Sequence, residues 1–116
     1  MQPEARKYLF DIQEAAGNVA NFTAEVEFAE YQRNPLLRYA VERAFGIIGE
    51  ALTGLARVDS AIAATITDFR TIIAFRNILI HDYAQIDDRI VWEIVQFKLP
   101  VLIRQVAALA EEQDVP

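Results

Sequence analysis

Four stretches of this chain repeat their apolar residues at steps of three and four, with little to interrupt them. The rows are Ala5-Leu9-Ile12-Ala16-Val19, Leu37-Val41-Ala44-Ile48-Ala51-Leu55, Ile62-Ile66-Phe69-Ile73-Arg76-Ile80-Tyr83 and Trp92-Val95-Leu99-Leu102-Val106-Leu109. That spacing puts each row on one side of an α-helix. Only 4 Gly and 4 Pro stand among the 116 residues, so long helices meet few breaks. The pattern predicts an all-α fold: one domain over residues 1–116, an antiparallel four- to five-helix bundle with short loops.

The boundaries follow from turn and cap chemistry. Pro3 suits a first helical position, where its missing N–H is no loss. The first helix should end near Gly17 to Asn21. Thr23 is expected to cap a short helix reaching about Glu30, with Glu25 and Glu27 near its positive end. Tyr31-Gln32-Arg33-Asn34 then reads as a connection, with Asn34 capping the next helix and Pro35 opening it. Asp59 or Ser60 should start a helix that runs unbroken to His81. Asp87 should cap the last long helix, which Pro100 would kink. Trp92 is expected to pack near the turn after His81; core packing is favoured over base stacking.

Gly46 and Gly49 share a helical row with Glu42 and Thr53. A glycine inside a helix costs about 1 kcal/mol relative to alanine. Both make sense if another backbone or side chain approaches there.

Charge and composition exclude several functions. Apolar residues make up 53% of the chain, enough for a core and a surplus that suits a partner surface. The net charge is −6, so no global field gathers nucleic acid. Arg33, Arg38, Arg43, Arg57, Arg70 and Arg76 could still form a local cationic patch. With no cysteine there are no disulfides or thiolate metal sites. No Gly-rich phosphate loop, His-containing metal spacing or Ser/His/Asp set occurs. No apolar run is long enough to span a membrane, and no signal peptide is visible. A cytoplasmic protein with no cofactor and no metal is expected.

The chemistry concentrates in Arg76-Asn77-Ile78-Leu79-Ile80-His81-Asp82-Tyr83, which holds the only histidine. Arg76 interrupts an otherwise apolar row. Asn77 and His81 share a second row with Arg70 and Ala74, and Arg76 stands at its border. In a continuous helix Arg76 and His81 point about 140° apart, so convergence needs a helix end or distortion near Ile80 to Asp82. A histidine can exchange a proton at neutral pH, and an arginine is a permanent planar cation that fits phosphate. Together they suit phosphodiester chemistry. The same residues could instead cap carbonyls at a helix end and pair with carboxylates. Glu42 and Glu50 are the candidate carboxylate partners of Arg76, because a half-buried guanidinium needs an anion. Both could equally pair along the surface.

Arg76-x4-His81-x-Tyr83, with Asn77 directly after the arginine, resembles the signature of HepT-like proteins of the HEPN superfamily. Tyr8-Leu9-Phe10-Asp11-Ile12, Ala40-Val41-Glu42-Arg43, Ile48-Gly49-Glu50-Ala51, Val91-Trp92 and Leu99-Pro100 extend the similarity over nearly the whole chain. Around Asp68-Phe69 the family more often shows a tryptophan; an aromatic is retained here. The resemblance implies the toxin of a toxin–antitoxin pair, a homodimeric, metal-independent endoribonuclease. Arg76 and His81 would be its catalytic residues, with Asn77 in support. Its partner would be a minimal nucleotidyltransferase (MntA-like) antitoxin, which transfers AMP to Tyr83.

The residues themselves agree with that chemistry. RNA cleavage needs one group to take the 2′-hydroxyl proton and one to protonate the leaving 5′-oxygen. The chain offers a single histidine, so two-fold symmetry would supply the second. A different class stays open: a non-catalytic module that binds a nucleotide or regulates a nucleotidyltransferase. The acidic surface and lone histidine favour that alternative. Tyr83, for its part, could be a core ring with its hydroxyl at the surface.

Overall fold

The structure is a computed structural model. It describes every residue except Tyr83, Gln85, Val115 and Pro116, together with the side chains of Gln113 and Asp114. The described elements are all helical: α1 (Pro3–Thr23), α2 (Phe28–Arg33), α3 (Pro35–Val58), α4 (Ser60–Ala64), α5 (Phe69–His81), α6 (Asp88–Glu93), a π-helical turn (Ile94–Lys98) and α7 (Leu99–Asp114). The all-α expectation is met.

Helix α1 begins at Pro3, as the chemistry of that position predicts, and buries Ala5, Leu9, Ile12, Ala16 and Val19. It runs further than the sequence suggested. Thr23 is its last residue and not a cap for the next helix. The Thr23 hydroxyl turns back and donates to the Val19 carbonyl at 2.8 Å. A threonine satisfied one turn back inside its own helix has no oxygen directed at the following segment.

The stretch expected to be a connection is helix α2. Tyr31 is fully buried. Its ring centre lies 5.1 Å from that of Trp92, and Phe28 lies 6.4 Å from the same indole. Phe28 and Tyr31, three apart on one short helix, present both rings to α6. Trp92 is therefore a core residue of this aromatic cluster.

Helix α3 starts as foreseen. The Asn34 side chain accepts from the Leu37 N–H at 3.1 Å, and Pro35 opens the helix. Val41, Ala44, Ile48, Ala51 and Leu55 are buried. One side of α3 packs on α1 and another on α5, while α1 also packs on α7. Helix α3 thus stands between α1 and α5.

The helix expected to run from Asp59 to His81 is broken. Asp59 does cap α4, accepting from the Ile62 N–H at 3.1 Å. Then Thr65 closes a turn onto the Ile62 carbonyl, and Asp68 adopts a left-handed backbone with φ 61°. The break is tied to the C-terminal helices. Lys98 Nζ meets Asp68 Oδ2 at 3.0 Å, and the Gln105 side chain both accepts from the Thr67 N–H and donates to the Thr67 hydroxyl.

This break changes the phase of the helix. In α5 the buried residues are Ile72, Phe75 and Leu79. Phe75 meets Phe45 of α3 edge-on, with ring centres 5.4 Å apart. The row read from the sequence, Phe69-Ile73-Arg76-Ile80, lies on the flank of the core; it is half-buried at first and exposed at Ile80. Arg76 therefore borders the apolar interior and does not interrupt it.

Asp87 caps α6 by accepting from the Arg89 N–H at 2.9 Å. Pro100 acts through the turn before it. The Leu99 N–H reaches back five residues to the Ile94 carbonyl. Proline offers no N–H and its ring crowds the carbonyl four residues earlier, so the widened turn accommodates it.

Candidate functional site

Helices α3 and α5 run antiparallel, as their shared grooves show. Ile73 shares one with Thr53 and Ala56, Arg76 packs on Gly49, and Leu79 and Ile80 share another with Gly46 and Glu42. Gly49 is the closest approach. A methyl group there would lie 2.3 Å from Arg76 Cβ and 2.5 Å from Cγ. The arginine stem thus rests directly on the α3 backbone. Of the two glycines expected to mark a close approach, Gly49 does so. Gly46 does not: nothing lies within 4 Å of the position its Cβ would take.

The Arg76 head is held on one side only. One terminal nitrogen (Nη1) donates to Asn77 Oδ1 at 3.1 Å. Its Nε is buried and has no hydrogen-bond partner. A buried donor without an acceptor is uncommon and invites a ligand or a water. The Arg76 side chain lines a groove of about 170 Å³ with Tyr8 of α1 and Glu50, Thr53, Gly54 and Arg57 of α3.

Neither candidate carboxylate forms an ion pair with Arg76 among the described residues. Glu50 is exposed at the rim of the same groove and stays solvated. Glu42 lies elsewhere, in a second groove of about 250 Å³ with Tyr39, Arg43, Gly46, Leu79 and Ile80. Burial pushes its carboxyl above the usual range, and nearby Asp88 adds to this while Arg38 partly offsets it. Its electrostatic neighbours are thus Asp88 and Arg38. The same surroundings act on Tyr31: burial first, then Glu42 and Asp88, hold its phenol well above the ordinary tyrosine value.

His81 is the last residue of α5, and the Asp82 N–H closes the helix onto the Ile78 carbonyl at 2.9 Å. The predicted helix end is therefore in place. His81 is exposed, as are Asn77 one turn earlier and Arg70 and Ala74 further back along that row. No hydrogen bond joins His81 to Arg76 among the described residues. Asn77 stands between them, bonded to Arg76 and on the His81 face. Tyr83 lies outside the described residues.

Tyr8 was not singled out as a site residue from its chemistry, although a signal for it existed. Gly54 is a third glycine inside α3, and a methyl group there would sit 2.4 Å from the Tyr8 ring. The Tyr8 hydroxyl accepts from Arg57 Nη2 at 3.1 Å. Of the six arginines that could have formed a cationic patch, Arg57 and Arg76 share one groove. Arg70 instead lies over the Phe69 ring, 5.2 Å from its centre, and Arg38 donates to the Gln32 carbonyl. No helix is long and apolar enough to cross a membrane, and no group of three or more potential metal ligands occurs, among the described residues.

The chain is thus a small all-α protein with a guanidinium-lined groove beside its core. It belongs to the HepT-like ribonuclease family, whose model, described as "Ribonuclease HepT-like", matches residues 12–109. It is similar to a protein of Methanocaldococcus jannaschii named as a "Putative RNase", with 35% identity over 89% of this chain and 94% of that one. It is also similar to a protein of Thermococcus cleftensis named "Probable ribonuclease HepT", with 32% identity over 88% of this chain and 92% of that one. No solved structure matches the chain.

Proposed function

We propose that this protein is a metal-independent endoribonuclease acting as the toxin of a HepT/MntA-type toxin–antitoxin pair in the cytoplasm. The observation that carries the reading is the Arg76 guanidinium. The Arg76 side chain lines a groove, its Nε is buried without an acceptor, and no carboxylate pairs with it among the described residues. A cation left in that state favours an incoming anion, and a phosphodiester fits the fork of an arginine. Membership of the HepT-like ribonuclease family supports RNA as the source of that phosphate.

In this reading Arg76 holds the scissile phosphate and stabilises the charge that builds on its oxygens. His81 takes the proton of the 2′-hydroxyl. The 2′-oxygen then attacks phosphorus, the bond to the 5′-oxygen breaks, and that oxygen receives a proton. The products are a 2′,3′-cyclic phosphate and a 5′-hydroxyl. DNA lacks the attacking hydroxyl and is no substrate. Asn77 steadies Arg76 from the His81 side. In a homodimer the second His81 would supply the second proton-transfer group.

Regulation would pass through Tyr83. In the partner nucleotidyltransferase, the Tyr83 phenolic oxygen attacks the α-phosphorus of ATP, pyrophosphate leaves, and the phenol proton is lost. The resulting phosphodiester is anionic and would compete with RNA for Arg76.

Purified protein is given RNA in EDTA beside a His81→Ala variant. Cleavage by the wild type alone supports the enzyme. Absence of cleavage by both overturns it in favour of a non-catalytic nucleotide- or partner-binding module. Mass spectrometry after incubation with the partner nucleotidyltransferase and ATP reads the second claim; an unmodified Tyr83 would remove it.

A further inference from the structure

The groove at Arg76 contains a second cation whose placement the reaction does not require. Arg57 stands on the last turns of α3, is exposed, and has no carboxylate partner among the described residues. Its partner is neutral: the Tyr8 hydroxyl, accepting at 3.1 Å. Tyr8 in turn is seated against the bare backbone of Gly54, where a methyl group would collide with its ring. Three residues on two helices thus fix one exposed guanidinium. An exposed arginine ordinarily moves freely, and holding it by a neutral hydroxyl leaves its charge uncompensated.

That charge faces the same space as Arg76. Both arginines line the groove of about 170 Å³, and among the described residues the only carboxylate on its wall is the exposed Glu50. Two fixed cations against one solvated anion leave a local positive surplus on a chain of net charge −6. The groove also has a direction. Gly49, where Arg76 crosses, and Gly54, where Tyr8 sits, are five residues apart on α3, about 7.5 Å along the axis at the rise of an α-helix. His81 ends α5 just past Leu79 and Ile80, which share a groove with Gly46, so along α3 it lies on the far side of Arg76 from Arg57. A strand laid along α5 would pass His81, then Arg76, then Arg57.

We infer that Arg57, held in place by Tyr8 against Gly54, is a second phosphate-binding residue that receives the RNA phosphate adjacent to the one at Arg76. This rests on the ribonuclease reading for the identity of the ligand, and it adds a substrate-binding subsite that the chemistry alone does not need. Tyr8 is a positioning residue. A neighbouring trough between α3 and α5, about 430 Å³ and sharing Thr53 with the first groove, leaves open space for the strand to continue.

The test separates binding from cleavage. A short fluorescein-labelled RNA, fully 2′-O-methylated so that no 2′-hydroxyl can attack, is titrated by anisotropy at several salt concentrations. Losing one phosphate contact should lower the slope of log affinity against log salt by about 0.7 for a single strand. Arg57→Gln is expected to show that drop with about tenfold weaker binding, the scale of one charge-assisted hydrogen bond. Arg57→Lys should restore the slope. Tyr8→Phe keeps the ring on Gly54 and should weaken binding a few-fold at unchanged slope, since the charge remains. A loss of structure would not shift the slope selectively, and circular dichroism checks each variant.

If Arg57→Gln binds with wild-type affinity and slope while the wild type cleaves unmodified RNA, the inference is overturned and the ribonuclease reading stands. If the slope changes as expected but unmodified RNA stays intact, the subsite stands and the nuclease falls. A wild type that neither binds nor cleaves overturns both.

Discussion

Gly46 and Gly49 occupy the same helical row, yet alanine should act on them in opposite directions. At Gly49 the added methyl would lie 2.3 Å from Arg76 Cβ, 2.5 Å from Cγ and 3.3 Å from Cδ. Cβ is fixed to the α5 backbone and cannot swing away, so α3 and α5 must separate. Overpacking of that kind costs about 1–3 kcal/mol, against a gain of about 1 kcal/mol in helix propensity. The net expectation for Gly49→Ala is a loss of up to about 2 kcal/mol. At Gly46 nothing lies within 4 Å, so only the propensity gain remains, about 0.5–1 kcal/mol of added stability. Scaled by the unfolding entropy of a chain this long, each kcal/mol moves the midpoint by about 4 °C. Thermal melts followed by circular dichroism should therefore show Gly49→Ala falling by up to about 8 °C and Gly46→Ala rising by about 2–4 °C. Changes of the same sign in both variants would refute the argument that backbone approach at Arg76 explains Gly49. In RNA cleavage, Gly49→Ala should lose activity even below its melting range, because it displaces the arginine stem, while Gly46→Ala keeps it.

Other expectations follow from single groups. Glu42 has a raised folded-state value, so the folded chain holds that proton more tightly than the unfolded one. The stabilisation is present below the ordinary value of 4.5 and is lost as pH rises through the raised one. Glu42→Gln should thus be more stable than wild type in urea denaturation at neutral pH, with the difference vanishing on acidification; a less stable variant at neutral pH would contradict it. The Tyr31 hydroxyl is buried without a partner, so Tyr31→Phe should leave stability unchanged or raise it by about 1 kcal/mol, read from the urea midpoint. Asn34→Ala removes the side-chain cap of α3 and should cost about 0.5–2 kcal/mol by the same measurement.

The elements most legible in the sequence were those set by local chemistry. Asn34-Pro35, Asp59 and Asp87 each mark a helix start through a side chain that reaches its own backbone, and all three do so here. The apolar rows of α1 and α3 were legible because each face is buried over several turns. What failed depended on partners distant in sequence. Tyr31 reads as part of a connection until Trp92, sixty-one positions later, is placed against it. The break at 65–68 carries no glycine or proline; Lys98 and Gln105 hold it from another helix. Read as one continuous helix, the chain puts the row containing Arg76 inward; the break at 65–68 turns Ile72, Phe75 and Leu79 inward instead. Within the candidate site, the sequence marks Gly49 as a point of close approach to α3 but does not say that Arg76 is the residue that approaches. The carboxylate expected for Arg76 is not found: Glu42 lines the neighbouring groove beside Arg43, and exposure leaves Glu50 in water.

The four residues between α4 and α5 set the angle at which everything after them faces the rest of the molecule. Removing one of them would change the direction and rotation with which α5 follows α4. Ile72, Phe75 and Leu79 would leave the interior, and Arg76 would turn away from Gly49. Natural variation in length should therefore be scarce in this short segment, even though its side chains are mostly exposed. Spacing there, more than residue identity, decides whether the arginine meets its groove.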